Sequence, residues 1–154
     1  MNNQPLLEIK LHLNSFEPLN SLRQWQDQQT KLGHKLAAAE SVFIGRMRST
    51  ATDGKLLSCL ELEHYPGMTE KQLMRLAEAC CHHHGVESCL VEHRVGRILP
   101  NEAIVLVAIN ADRRGPAQRC CQELLELIKH EAPFWKREWL VDGSSHWLDK
   151  NTPQ

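Results

Sequence analysis

Two lysines seven residues apart, Lys129 and Lys136, bracket the proline of the segment Ala132-Pro133-Phe134-Trp135-Lys136-Arg137-Glu138. A lysine amine held near another cation and against apolar rings gives up its proton more readily than a solvated one, and the neutral amine is both a base and a nucleophile. Lys136, between Trp135 and Arg137, has such neighbours. Each lysine also has an ordinary reading. Lys136 suits a solvated edge strand, and Lys129 suits a helix C-terminus, where the dipole favours a cation whatever the function. The chemical reading therefore requires the two amines to converge in space.

Arginines that could bind an anion come in pairs, Arg46 with Arg48 and Arg113 with Arg114. Arg113 and Arg114 precede a helical pattern, and the unpaired N–H groups of a helix start favour a negative ligand, with Gly115 leaving room for close approach. A phosphate site and a pair of surface arginines at a strand end fit that motif equally well. Arg114 and Lys129 lie fifteen residues apart, so one helix separates them by roughly 22 Å at 1.5 Å per residue. If both serve one small molecule, one of them comes from a second copy of the chain, as a two-fold dimer allows.

With 18 basic and 19 acidic residues the formal net charge is -1, so there is no global field for gripping a nucleic-acid backbone. Anion recognition must come from placement, and a nucleic-acid partner is not expected. The start Met1-Asn2-Asn3-Gln4-Pro5 has no basic region leading into an apolar core, and no apolar run approaches the roughly 20 residues that span a bilayer. No membrane association and a cytoplasmic location are expected. At 154 residues and 42% hydrophobic, residues 1–154 suit a single domain.

The six cysteines, Cys59, Cys80, Cys81, Cys89, Cys120 and Cys121, include no Cys-x-x-Cys and read as reduced, buried, small hydrophobes. The run Cys80-Cys81-His82-His83-His84 offers metal-binding types, but adjacent helical residues diverge around the axis, so no metal is expected there. The pairs Glu63-His64 and Glu92-His93 offer an acid beside a base, yet neighbours on a strand point to opposite faces and make poor catalytic pairs.

The elements that must position these groups are legible as periodicities. Leu7, Ile9, Leu11 and Leu13 alternate with polar residues as in a half-buried strand, and a helix over 19–32 ends near Gly33. A strand around Val42-Phe43-Ile44 is expected to form a hairpin with a strand over 56–64, through a loop holding Asp53-Gly54. Thr69 with Gln72 reads as a capping box for a helix running to Gly85. Strands over 86–95 and 103–110 should be central, the second apolar on both faces. Pro116 suits the first position of a helix to about His130, with Ala117, Cys120, Cys121, Leu124, Leu127 and Ile128 on its buried stripe and Pro133 preventing continuation. A closing hairpin turns at Asp142-Gly143. Without strict strand–helix alternation, the class is α+β with a largely antiparallel sheet.

Three segments carry a family resemblance: Leu62-Glu63-His64-Tyr65-Pro66-Gly67-Met68, His93-Arg94-Val95-Gly96, and Ala132 to Glu138. Over about Val42 to Trp147 the chain resembles the large, catalytic subunit of molybdopterin synthase. The resemblance implies an α/β hammerhead-like fold with a small additional β subdomain and a homodimer of large subunits. It further implies a small ubiquitin-like sulfur-carrier subunit at each end, whose C-terminal Gly-Gly is activated as a thiocarboxylate. The implied reaction is sulfur transfer onto cyclic pyranopterin monophosphate to give molybdopterin, with no cofactor or metal. By resemblance, Lys129 and Lys136 are the active-site lysines; the role expected for Lys129 is base or transient nucleophile, with Lys136 as its electrostatic partner. The resemblance also implies that Arg46, Met47, Arg48, Arg113, Arg114, Arg137 and Glu138 bind substrate. Arg113 stands where the family has histidine, which keeps positive charge but cannot titrate near neutral pH. The alternative is a non-catalytic anion-binding or assembly homologue that retains the carrier-docking surface.

Overall fold

The run Ala103 to Ala111 is apolar at nearly every position, and a strand of that kind is stable only with both faces covered. In the computed structural model, which describes residues 4–148, it is an inner strand of the first of two four-stranded sheets. In chain order the elements are β1 (Leu6–His12), α1 (Pro18–Lys31), β2 (Ala39–Arg46), β3 (Leu57–His64), α2 (Met68–His84), β4 (Ser88–Arg94), β5 (Gly96–Ile98), β6 (Ala103–Ala111), α3 (Arg114–Glu131), β7 (Phe134–Leu140) and β8 (Ser145–Trp147). The first sheet has the order β1-β4-β6-β2, parallel only between β1 and β4. The second, β5-β3-β7-β8, is antiparallel throughout. The α+β class with mostly antiparallel pairing is as expected.

Period-two alternation sorts the first sheet's side chains into two layers. Cys89 and Val91 of β4, with Val105, Val107 and Ile109 of β6, join Leu73, Ala77, Leu124 and Ile128 of α2 and α3 in the main core. One residue out of phase, Leu90, Leu106 and Ala108 meet Trp25 of α1 in a separate cluster. A third cluster, including Met47, Leu60, Leu62, Ile98 and Leu140, underlies the second sheet. Ile104 and Phe134 pack against both the main core and this third cluster, and so mark the seam between the sheets. All six cysteines are buried and free.

Several local expectations need correction. The strands around 42–44 and 56–64 do not form a hairpin: β2 pairs with β6, and β3 pairs with β5 and β7. The Asp53-Gly54 turn exists, closed by Gly54 N–H to Ala51 O at 2.9 Å and a bridge between Thr50 and Leu56. A register shift between Gly45 and Arg46, with Met47 N–H donating to Glu102 O, carries the chain out of the first sheet before that turn. The start of α2 carries only half of a capping box, Glu70 Oε2 accepting from Gly67 N–H at 2.7 Å, because the N-cap Gly67 has no side chain to return the bond. Thr69 is instead fully buried, accepting from Tyr65 N–H and donating to Pro133 O, which ties the start of α2 to the start of β7. Pro116 is the third residue of α3, and Leu125 rather than Leu127 completes its buried stripe.

Candidate functional site

In β7 the side chains of Phe134, Lys136, Glu138 and Leu140 share one face, because a strand alternates. Leu140 anchors that face in the core of the second sheet, so Lys136 and Glu138 are carried inward. On α3, Leu125, Ile128 and Lys129 share one helical face by their spacing of three and four. Leu125 and Ile128 are core residues, which turns Lys129 toward the seam. Lys129 and Lys136 thereby line one cavity of about 360 Å³, and the convergence that the chemical reading required is present.

The other walls follow from the same geometry. The shift at Gly45 and Arg46 ends β2 at the cavity, so Arg46, Met47 and Arg48 line it, Met47 buried and both arginines exposed. On β4, His93 follows Cys89 and Val91 on the face that joins the core with α2 and α3, and forms part of the cavity wall. Its ring stacks on Phe134, centroids 4.2 Å apart and planes inclined by 14°. Its Nδ1 donates to Arg94 O at 2.8 Å, which leaves Nε2 as the lone-pair nitrogen of the neutral ring.

Electrostatics distinguishes these groups. Burial is the main cause that lowers the Lys136 pKa, the charge of Lys129 lowers it further, and the Glu138 carboxylate opposes both. His93 is pushed down to about 4, chiefly by burial and also by Lys136, against the upward pull of the Arg94 carbonyl. A neutral imidazole therefore stands beside an amine whose neutral form is favoured by its burial. Glu138 is itself fixed by His146 Nε2 at 3.1 Å.

Not every residue chosen from the sequence comes to this cavity. Arg137, between Lys136 and Glu138, points to the opposite face of β7, its guanidinium 4.5 Å from the Trp139 ring centroid and 5.4 Å from that of Trp147. Its Nε donates to Ser145 Oγ at 2.9 Å. Arg113 and Arg114 lie at the exposed N-terminal end of α3, where Arg113 is 3.9 Å from Asp112. They do not line the cavity. Conversely, His93 was set aside in the sequence because its neighbour Glu92 faces the other way. Glu92 does face away and meets His12. His93 reaches the cavity without it, and the available signal was a histidine in phase with a buried apolar face.

Fold and site together define an α+β protein with a half-enclosed cationic pocket built around two lysines. The family model described as MoaE protein matches residues 17–131. The chain belongs to the MoaE protein family. It is 41% identical to the molybdopterin synthase catalytic subunit of Ralstonia nicotianae over 119 residues, 77% of this chain and 66% of that relative. The solved molybdopterin biosynthesis MoaE protein of Burkholderia ambifaria superposes with a TM-score of 0.75 at 34% identity, covering 97% of this chain and 93% of that one. The same fold, at 17% identity and a TM-score of 0.74, occurs in the Helicobacter pylori complex of subunits 1 and 2 of molybdopterin-converting factor, covering 94% of this chain and 92% of that one.

Proposed function

We propose that this chain is a sulfurtransferase of the molybdopterin synthase type, converting cyclic pyranopterin monophosphate to molybdopterin. Sulfur comes from the thiocarboxylated C-terminus of a small ubiquitin-like carrier subunit. The observation that carries this reading is the meeting of Lys129 and Lys136 in one cavity whose rim holds Arg46 and Arg48. Family membership supports the reaction, and the fold shared with the Helicobacter pylori complex supports a second, smaller partner.

Both reactants are anions, a phosphate ester and a thiocarboxylate, and the cations Arg46, Arg48 and Lys129 of the pocket hold them at reacting distance. Arg46 and Arg48 receive the phosphate. The thiocarboxylate sulfur bonds to the side-chain carbon that carries one ester oxygen of the cyclic phosphate, that carbon–oxygen bond breaks so that the phosphate opens to a monoester, water cleaves the acyl–sulfur bond, and the carrier leaves as a carboxylate. A second carrier's sulfur bonds to the neighbouring carbonyl carbon, whose oxygen leaves as water, and hydrolysis of this second acyl–sulfur bond frees the dithiolene. An amine that takes the proton from water must be neutral at working pH. Burial makes Lys136 the better base, with Lys129 supplying positive charge, which reverses the roles assigned from the sequence. Arg113 and Arg114 reach the pocket of the other chain in a homodimer, each chain binding one carrier in a heterotetramer.

The test is incubation of the protein with thiocarboxylated carrier and pterin precursor, followed by mass analysis for sulfur gain. Product gaining two sulfurs is expected, with Lys136→Ala slower by about 10²- to 10⁴-fold, the usual worth of a positioned base. Folded protein that transfers no sulfur from a loaded carrier, or full rates in both Lys129→Ala and Lys136→Ala, would overturn the proposal.

A further inference from the structure

Five consecutive residues at the end of α2, Cys80 to His84, fan around the helix and cannot all meet one ion. Cys80 and His84, four apart, do share a face. That face packs on α3, which presents Cys120 and Glu123, three apart. His84 Nε2 meets Glu123 Oε2, and Cys80 Sγ lies 3.8 Å from Cys120 Sγ. One ligand atom each from Cys80, His84 and Glu123 falls within 4.8 Å of the other two. Among the described residues no other set of three such side chains converges in this way.

We propose that Cys80, His84 and Glu123 form a binding site for a divalent transition ion of the zinc class, clamping α2 to α3, with water as fourth ligand. Sulfur and imidazole donors select this class, whereas calcium and magnesium need oxygen cages and iron–sulfur clusters need four cysteine or histidine ligands. A thiolate and a carboxylate neutralise the dication, so the filled site carries no net charge into its half-buried position. Exposure is graded to match: Cys80 is buried, the His84 side chain is 14% exposed, and that of Glu123 is 47% exposed, so an ion can enter from the Glu123 side. Without a cation the Cys80 thiol is held protonated by its hydrogen bond with Cys120, by burial and by the charge of Glu123. A bound dication reverses that preference, the thiol proton leaves to solvent, and the Cys120 S–H donates to the new thiolate. The clamp would seat α3 some six residues, about 9 Å along the axis, before Lys129.

The test is titration of the reduced, untagged full chain with Co²⁺, reading the thiolate-to-cobalt charge-transfer band, then displacement by Zn²⁺. One equivalent per chain is expected. Cys80→Ser should abolish the band, and His84→Ala and the surface change Glu123→Gln should each weaken binding by at least about tenfold, since even outer-shell losses cost that much. The adjacent His82→Ala should bind as the unaltered protein does. Absence of the band in the unaltered protein, a band that survives Cys80→Ser, or unchanged affinity in both His84→Ala and Glu123→Gln would overturn the proposal. Glu123→Gln keeps the test decisive should the buried Cys80→Ser fail to fold.

Discussion

Lys136 is set apart by its surroundings rather than by its type. Its neutral form is favoured by burial and by the charge of Lys129, so the acidic limb of the pH–rate profile should lie below the ordinary lysine range. Lys129→Ala removes one of the two causes that lower the Lys136 pKa. The residual activity of that variant should therefore have its acidic limb at higher pH, and a limb that stays in place would show that Lys136 is not the titrating base. His93 gives a separate prediction about stability. With a folded pKa of about 4 against 6.5 unfolded, the unfolded chain binds more protons between those values. Stability is thus unaffected by this group above pH 6.5, falls as the pH drops toward 4, and ends lower by about 3 kcal/mol. Chemical denaturation of His93→Leu over this range should show a correspondingly flatter acid-side slope.

At the scale of elements, the end of β2 is the critical junction. Gly45 packs so tightly that a Cβ there would stand 3.0 Å from Val105 Cγ1 and 3.2 Å from Phe43 Cε1. Gly45→Ala should cost about 1–3 kcal/mol in thermal or denaturant unfolding, as overpacking does. It should also raise KM for the pterin, because Arg46 and Arg48 follow directly on the displaced backbone. Most elements were legible: the alternation of β1 and the stripe of α3 follow from burial of one face, and the apolarity of β6 from burial of both. The β2–β3 hairpin was misread because the Asp53-Gly54 turn is local, whereas pairing partners are chosen by which sheet edge offers a complementary apolar face. Thr69 was misread as a cap because its buried bond to Pro133 spans 64 residues of sequence.

The whole molecule places Arg114 and Lys129 at opposite ends of α3. If two chains share each site, an Arg114→Ala chain mixed with a Lys129→Ala chain gives one intact site per mixed dimer, while each variant alone has none. Recovery of up to half the activity is expected on mixing, and well-formed mixed dimers without activity would argue for sites built within one chain. Among the described residues no helix is long and apolar enough to cross a membrane.

The sequence by itself determined which chemistry the chain carries, since lysine and arginine types, cysteine burial and most helices and strands follow from side-chain properties and local period. Its motifs also led to the right family. Only the tertiary structure decided which of those groups meet. Lys129, Lys136, Arg46 and His93 come from α3, β7, β2 and β4, and the two-residue period of a strand turned Arg137 away while carrying Lys136 in. It likewise brought Glu123 to Cys80 and His84, because helix–helix packing joins faces that no sequence spacing connects.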